Sequence, residues 1–316
     1  MNAFWVTRRR FRKRVAAILR RHVSPRYWSR ARDIGRSSFR AIETVLATVV
    51  AWVVKVLPDG VSIALREKLT LQRPLDYEEA VIALRVTSRT EKDMRLRSCE
   101  KEPETVDWIQ QTLKPGDVLY DIGANVGAYS LVAARWTRGQ ATVYAFEPGY
   151  ATFPNLVENI FINHCEDVVI PFPVALGART TLTGFQYGTL EPGGATHGGI
   201  MDARGGSGGI RTQTLASYRL DDFVSLLQLR SPTHMKIDVD GSELKLLQGA
   251  ATTLRSASMA WVLVEVDVTG KEAGAVKALL EECGFSLAGD HEHQGGMTHN
   301  WIFRRKALST SPRSEQ

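Results

Sequence analysis

Five apolar runs of strand length alternate with segments of helical pattern along the C-terminal two thirds of the chain. The runs are Val118 to Ile122, Thr142 to Phe146, Val168 to Val174, Met235 to Val239 and Trp261 to Val266, and the helical patterns between and after them fall at 128–136, 150–163, 242–255 and 271–283. A continuously apolar strand must be covered on both faces, and a strand that returns through a helix runs parallel to its predecessor. The alternation therefore predicts an α/β fold with a doubly wound, mostly parallel sheet. Val106, Ile109 and Leu113 mark one more short helix ahead of the first strand, ended by Pro115-Gly116. No repeat at a fixed period is visible, which excludes a solenoid. The 316 residues are 44% hydrophobic and 23% charged, so most of the chain must fold into a core rather than stay disordered.

The formal charge of +6 hides an asymmetry. Residues 1–40 hold thirteen Arg and Lys against a single acid, Asp33, a net of +12, so the remaining 276 residues carry −6. Within this arm Phe11, Val15, Ile18 and His22 recur at helical spacing, flanked by Leu19 and Val23 and crowded by arginines. A short basic amphipathic helix fits, and so does a partly disordered solvated tail. Thr44 to Val54 is the longest uncharged apolar stretch, and at about 1.5 Å per residue it is too short to cross a bilayer. Residues 1–54 are thus expected to offer an anionic membrane surface a peripheral contact. Thr7-Arg8-Arg9-Arg10-Phe11-Arg12-Lys13 looks like a twin-arginine export signal, but Arg20 and Arg21 break the apolar run that should follow. Cys99, Cys165 and Cys283 are odd in number and far apart, which argues against a disulfide framework and for a reducing, cytoplasmic setting.

Two regions lack a clear periodicity. Pro58-Asp59-Gly60 reads as a turn, and 61–100 is mixed and charged; 41–100 is expected to be an N-terminal helical region. Residues 188–209 contain nine glycines, which predicts a long mobile loop. Residues 307–316 are expected to form a disordered tail.

The chemistry concentrates where the first strand runs into Asp121-Ile122-Gly123-Ala124-Asn125-Val126-Gly127 and then a helix starting near Ala128. Glycines at 123 and 127 let the backbone approach a ligand, and the helix start offers free N–H groups. Asp121 is an acceptor, suited to a cationic amino group or hydroxyls and poorly suited to a pyrophosphate. The dinucleotide fingerprint G-x-G-x-x-G is absent because Asn125 stands at its second glycine, which disfavours hydride chemistry. Glu147 ends the next strand, where a carboxylate can accept from both ribose hydroxyls. Together these residues point to a nucleoside with a cationic tail.

These features resemble the class I S-adenosylmethionine-dependent methyltransferases and, more narrowly, the FkbM family. Over residues 95–306 the resemblance rests on Lys101 to Thr105, Asp121 to Ser130, Phe146-Glu147-Pro148, Lys236 to Glu243 and Asn300 to Arg304. It implies a seven-stranded sheet with an antiparallel last strand near Trp301 to Arg304, carried by a methyltransferase domain over 101–306. The cofactor would be S-adenosyl-L-methionine, held by Asp121, Gly123, Ala124, Asn125, Gly127, Tyr129, Glu147, Pro148 and Asp238. The reaction would be O-methylation. Neither the glycine-rich insert nor the basic arm belongs to the family motifs.

Asp238 is the expected catalytic carboxylate at the end of the fourth strand. Asp240 and Glu243 can serve the site or start the following helix, and no metal is assigned to the three. Of the seven histidines, His299 stands out only because it precedes the last strand; Cys165 and Cys283 read as packing residues. Transfer from a sulfonium requires alignment and the removal of one proton, so the acceptor is not written in the residues. A hydroxyl of a sugar, glycolipid, lipid-linked glycan or secondary metabolite comes first. An RNA methyltransferase holding phosphate through the arm comes second, although neither an Asn/Asp-Pro-Pro-aromatic motif nor a Pro-Cys nucleophile is present. A non-catalytic nucleoside-binding scaffold is a third class, disfavoured by the intact set of Asp121, Gly123, Gly127 and Glu147.

Overall fold

A computed structural model describes residues 42–194, 197–201, 211–293 and 295–306. The basic arm, most of the second half of the glycine-rich stretch and the C-terminal tail lie outside the described residues. The chain divides into two compact units, Met1–Thr70 and Leu71–Gln316. In the first, residues 42–56 are helical and a second helix, Asp59–Lys68, buries none of its residues. Pro58 fixes the break between them: it cannot continue a helix but tolerates the position just before one, and its carbonyl accepts from the Val61 amide at 2.9 Å.

The second unit is built on a seven-stranded sheet. Its strands are β3 (Val118–Ile122), β4 (Thr142–Phe146), β5 (Val169–Phe172), β10 (His234–Ile237), β11 (Trp261–Asp267), β12 (Phe285–Glu292) and β13 (Thr298–Arg305), in the spatial order β12-β13-β11-β10-β3-β4-β5. Six strands point the same way, and β13 enters antiparallel between β11 and β12. Successive strand residues face opposite layers. Leu119, Val143, Val169 and Leu263 join the helices Pro103–Thr112, Ala128–Trp136 and Phe153–Ile162 in one core. Tyr120, Phe146, Met235 and Val264 join the helices Leu220–Leu227 and Ala273–Glu282 in the other. Burying a side chain of this size contributes about 1.5 to 3 kcal/mol, so the two apolar layers dominate the stability of the unit. Chain order reverses between β3 and β10, and the crevice beyond the carboxyl ends of these neighbours is where such folds bind ligands.

Three regions differ from the expectation. Residues 71–100 belong with the larger unit and are not wholly helical: β1 (Gln72–Pro74) pairs antiparallel with β2 (Ala83–Arg85). Side-chain amides hold this hairpin, because Asn163 Oδ1 accepts from the Ala83 amide at 3.0 Å and Asn159 Oδ1 from the Arg85 amide at 2.7 Å. The glycine-rich stretch read as a loop contains a strand, β8 (His197–Met201), paired with β7 (Thr181–Tyr187). With β6 (Ala175–Leu176) and β9 (Arg211–Tyr218) these form a second sheet in the order β6-β9-β7-β8. Finally, 242–255 is two helices, Glu243–Gly249 and Ala251–Arg255.

Candidate active site

At the carboxyl ends of β3, β4 and β10 the backbone opens into a cleft of about 860 Å³, part of it open to solvent. Gly123, Ala124 and Asn125 form its floor with Glu147 and Pro148 from the end of β4 and Asp238 from the end of β10. The Gly123 and Ala124 amides both donate to the Phe146 carbonyl at 3.0 Å, which turns the chain sharply beside β4. Gly123 has φ +83°, and a Cβ there would stand 1.8 Å from the Asp238 carbonyl oxygen, so no larger residue fits between β3 and β10. Asn125 takes the left-handed region at φ 51°, where asparagine is among the better tolerated residues.

Glu147 is buried and has both oxygens engaged: Oε2 accepts from the Asn125 amide at 2.9 Å and Oε1 from the Gly149 amide at 2.7 Å. Burial raises its carboxyl to about 7, against the pull of these two amides and of Arg95. Asp121 is also buried. Its Oδ2 accepts from Ser130 Oγ at 2.6 Å, while Oδ1 has no hydrogen-bond partner among the described residues. Burial raises its carboxyl from the usual range, opposed by Lys236 and Ser130.

Lys236 is a buried cation on β10, with Nζ 3.1 Å from Asp238 Oδ2 and 5.1 Å from the centre of the Tyr129 ring. Burial pushes the Asp238 carboxyl up, but Lys236 and a hydrogen bond from Glu265 outweigh it and hold Asp238 well below the usual range. Glu265 shows the converse. The Asp238 charge, then burial, raise it to about 9, so it carries a proton at neutral pH. Glu102, buried nearby, has His293 Nε2 at 3.5 Å and Lys101 Nζ at 3.1 Å; burial raises it, but His293, Lys236 and Lys101 bring it to about 2.

The expected site residues separate into groups. Gly123, Ala124, Asn125, Tyr129, Glu147, Pro148 and Asp238 line the cleft; Asp121 and Gly127 do not. Gly127 sits at φ +86° where the helix begins, and a Cβ there would meet Leu156 Cδ1 at 2.6 Å, so its glycine is accounted for by packing. Asp240 and Ser242 reach the cleft wall, whereas the Glu243 carboxylate accepts from the Gly241 amide at 3.0 Å and serves the helix start. His299 lies in β13, not in a loop, with Nδ1 2.6 Å from Asp290 of the neighbouring strand, and does not line the cleft. Among the described residues no group of three or more His, Cys, Asp or Glu is arranged to hold a metal ion.

Sequence reasoning assigned no role to Lys236, Arg95, Glu102 or Glu265. A lysine between Met235 and Ile237 in an otherwise apolar strand is a visible signal, because a fully buried lysine needs carboxylate partners. Arg95 has no such signal. It lines the cleft from the region of unclear periodicity and donates through Nε to the Gly193 carbonyl at 2.8 Å. The first residues of the glycine-rich stretch are thereby fastened beside the glycine turn. Glu191 Oε1 accepts from the Arg89 and Thr90 amides, and Asn125 Nδ2 donates to the Gly194 carbonyl at 3.4 Å.

A family model described as the methyltransferase FkbM domain matches residues 121–287, from the acid of the glycine turn to β12. The chain is 27% identical over 217 residues to the hexuronic acid methyltransferase AglP of Haloferax volcanii, covering 68% of this chain and 83% of that one. It is 27% identical over 219 residues to the 31-O-demethyl-FK506 methyltransferase FkbM of Streptomyces tacrolimicus, covering 62% of this chain and 83% of that one. Among solved structures it is similar to the methyltransferase FkbM of Methylobacillus flagellatus, with a TM-score of 0.42 and 14% identity, over 61% of this chain and 44% of that one. With the family model spanning more than half of the chain, and the glycine turn, the acid after β4 and the β10 carboxylate all inside it, the chain belongs to the FkbM family of methyltransferases.

Proposed function

We propose that this chain is an O-methyltransferase acting on a hydroxyl of a sugar, a glycolipid or a secondary metabolite. The observation that carries the reading is the charge pattern of the cleft: a buried acid (Glu147) and an ionised one (Asp238) around a floor of backbone, with a third buried acid (Asp121) on β3 outside the lining. Such a site suits a nucleoside with a cationic amino acid tail. S-adenosyl-L-methionine, the methyl donor of the family, supplies a methyl group on a sulfonium whose leaving group is neutral.

The residues present fit it. Glu147 has two further lone-pair directions for ribose hydroxyls. Gly123 keeps the floor free of any side chain. Asp238, held ionised by Lys236, accepts the hydrogen bond of the acceptor hydroxyl and then its proton. A weak base suffices, because an alcohol oxygen that gains a methyl group becomes far more acidic than a carboxylic acid. Alignment then provides most of the rate. The two relatives are named for a hexuronic acid and for 31-O-demethyl-FK506, which supports an oxygen acceptor on a sugar or metabolite.

The test is methyl transfer from labelled S-adenosylmethionine into extracted glycolipids and glycans and, separately, into RNA. Label in a carbohydrate-containing product is expected; label confined to RNA overturns the acceptor class. Glu147→Ala is expected to weaken cofactor binding by about 1.5 to 3 kcal/mol, the range for hydrogen bonds to a charged group. Because the Glu147 carboxyl stands at about 7, cofactor affinity should rise between about pH 6 and 8 as the better acceptor forms. Glu147→Gln should flatten that rise in calorimetry, and an unchanged slope removes the ribose assignment.

A further inference from the structure

In the first unit, helical residues 42–56 carry a face that the described residues of that unit leave open. Ile42, Val45, Leu46, Val49, Val50, Trp52, Val53 and Val56 are between 43% and 66% exposed. At about 100° per residue these eight side chains fall within an arc of about 160°, and the remaining side holds Glu43, Thr44, Ala47, Thr48, Ala51, Val54 and Lys55. One side of the helix is therefore broad and apolar, with an aromatic residue in it, while the other is small, polar or charged apart from Val54. Scattered apolar residues on a surface require no explanation, but a contiguous face of this kind marks an interaction site.

We propose that this face lies in the headgroup boundary of an anionic lipid bilayer, with the helix parallel to the membrane plane. Two observations select lipid over a second copy of the chain. The segment immediately before the helix, residues 1–40, carries thirteen Arg and Lys against one acid, which complements an anionic leaflet and would repel an identical arm brought alongside it. The pattern is also that of an interfacial helix rather than a span. Glu43 and Lys55 bound its uncharged run, Thr44 to Val54, at about 16 Å of helix, short of the bilayer core, and no helix among the described residues is long and apolar enough to cross a membrane. Basic residues near the surface draw the chain to the lipid, and the apolar face holds it there. The inference is independent of the acceptor proposed above.

The test is flotation of the full chain with vesicles of phosphatidylcholine containing about a quarter phosphatidylglycerol, against vesicles of phosphatidylcholine alone. The chain should float with the anionic vesicles and largely fail to do so with the neutral ones. Val49→Glu with Val53→Glu, in the middle of the apolar face, should cut vesicle binding by more than about tenfold. Ala47→Glu with Ala51→Glu, on the opposite side, should leave it within about twofold, although both pairs add the same charge. Far-ultraviolet circular dichroism and cofactor affinity check that both variants fold. As an independent reading, brominated lipid should quench a blue-shifted component of tryptophan emission that Trp52→Phe removes. The proposal is overturned if the chain stays unbound with anionic vesicles, if the two variant pairs lose binding equally, or if Val49→Glu with Val53→Glu merely converts a lipid-free dimer to a monomer in sedimentation.

Discussion

Gly123→Ala should lose measurable cofactor binding and about 3 to 5 kcal/mol of stability, read from the midpoint of urea denaturation. Two costs combine at this position. A φ of +83° is strained for any residue with a Cβ, by about 1 to 2 kcal/mol. The added methyl would also stand 1.8 Å from the Asp238 carbonyl oxygen and 2.9 Å from its carbon, so β3 and β10 must part where the cleft is formed. Gly116→Ala separates the two effects. Its φ is +89° but nothing lies within 4 Å of the Cβ, so it should lose only about 1 kcal/mol and bind cofactor normally. Equal losses in the two variants would mean that close approach of the strands is not what Gly123 provides.

Lys236→Met should be as damaging, with a characteristic pH dependence. Lys236 is the buried cation among Asp238, Asp121 and Glu102, and removing one partner from a buried ionic cluster costs about 3 to 5 kcal/mol because the other charges stay buried. Asp238 and Glu102 titrate below the usual carboxylate range in the native protein, so their ionised forms stabilise it above about pH 4, and that contribution is lost as pH falls through their native values. Without Lys236 that advantage weakens or reverses. The gap between variant and parent should thus be largest near neutrality and shrink toward about pH 4, where the carboxylates of the unfolded chain also take up protons. A gap that is the same at both pH values would assign the loss to packing of the lysine stem instead.

Much of the fold could be read from the residues because its strands are apolar on both faces. Val118–Ile122, Thr142–Phe146 and Trp261–Asp267 lie where the runs place them, within a residue. The fourth apolar run extends to Val239, but β10 ends at Ile237, and Asp238 and Val239 line the cleft. β12 escaped the reading because only Phe285 of its eight residues is buried, which leaves no apolar run to find. β8 escaped for a different reason: its strand is formed by backbone pairing to β7, and glycines give no side-chain signal for that. At the site, the groups contributed by the first, second and fourth apolar strands were legible, since each carboxylate ends a strand. Glu102, Glu265 and Arg95 were not. They come together only through the sheet order and the packing of 71–100, and no local spacing in the sequence links them to Asp238.

In the proposed function the glycine turn and Glu147 form one cofactor site. A crystal structure of the chain with S-adenosylhomocysteine tests it most directly. The expected result is the ribose hydroxyls on Glu147, above the backbone of Gly123 to Asn125. The adenosyl group elsewhere on the molecule, or bound in this cleft without contact to Glu147, would contradict it.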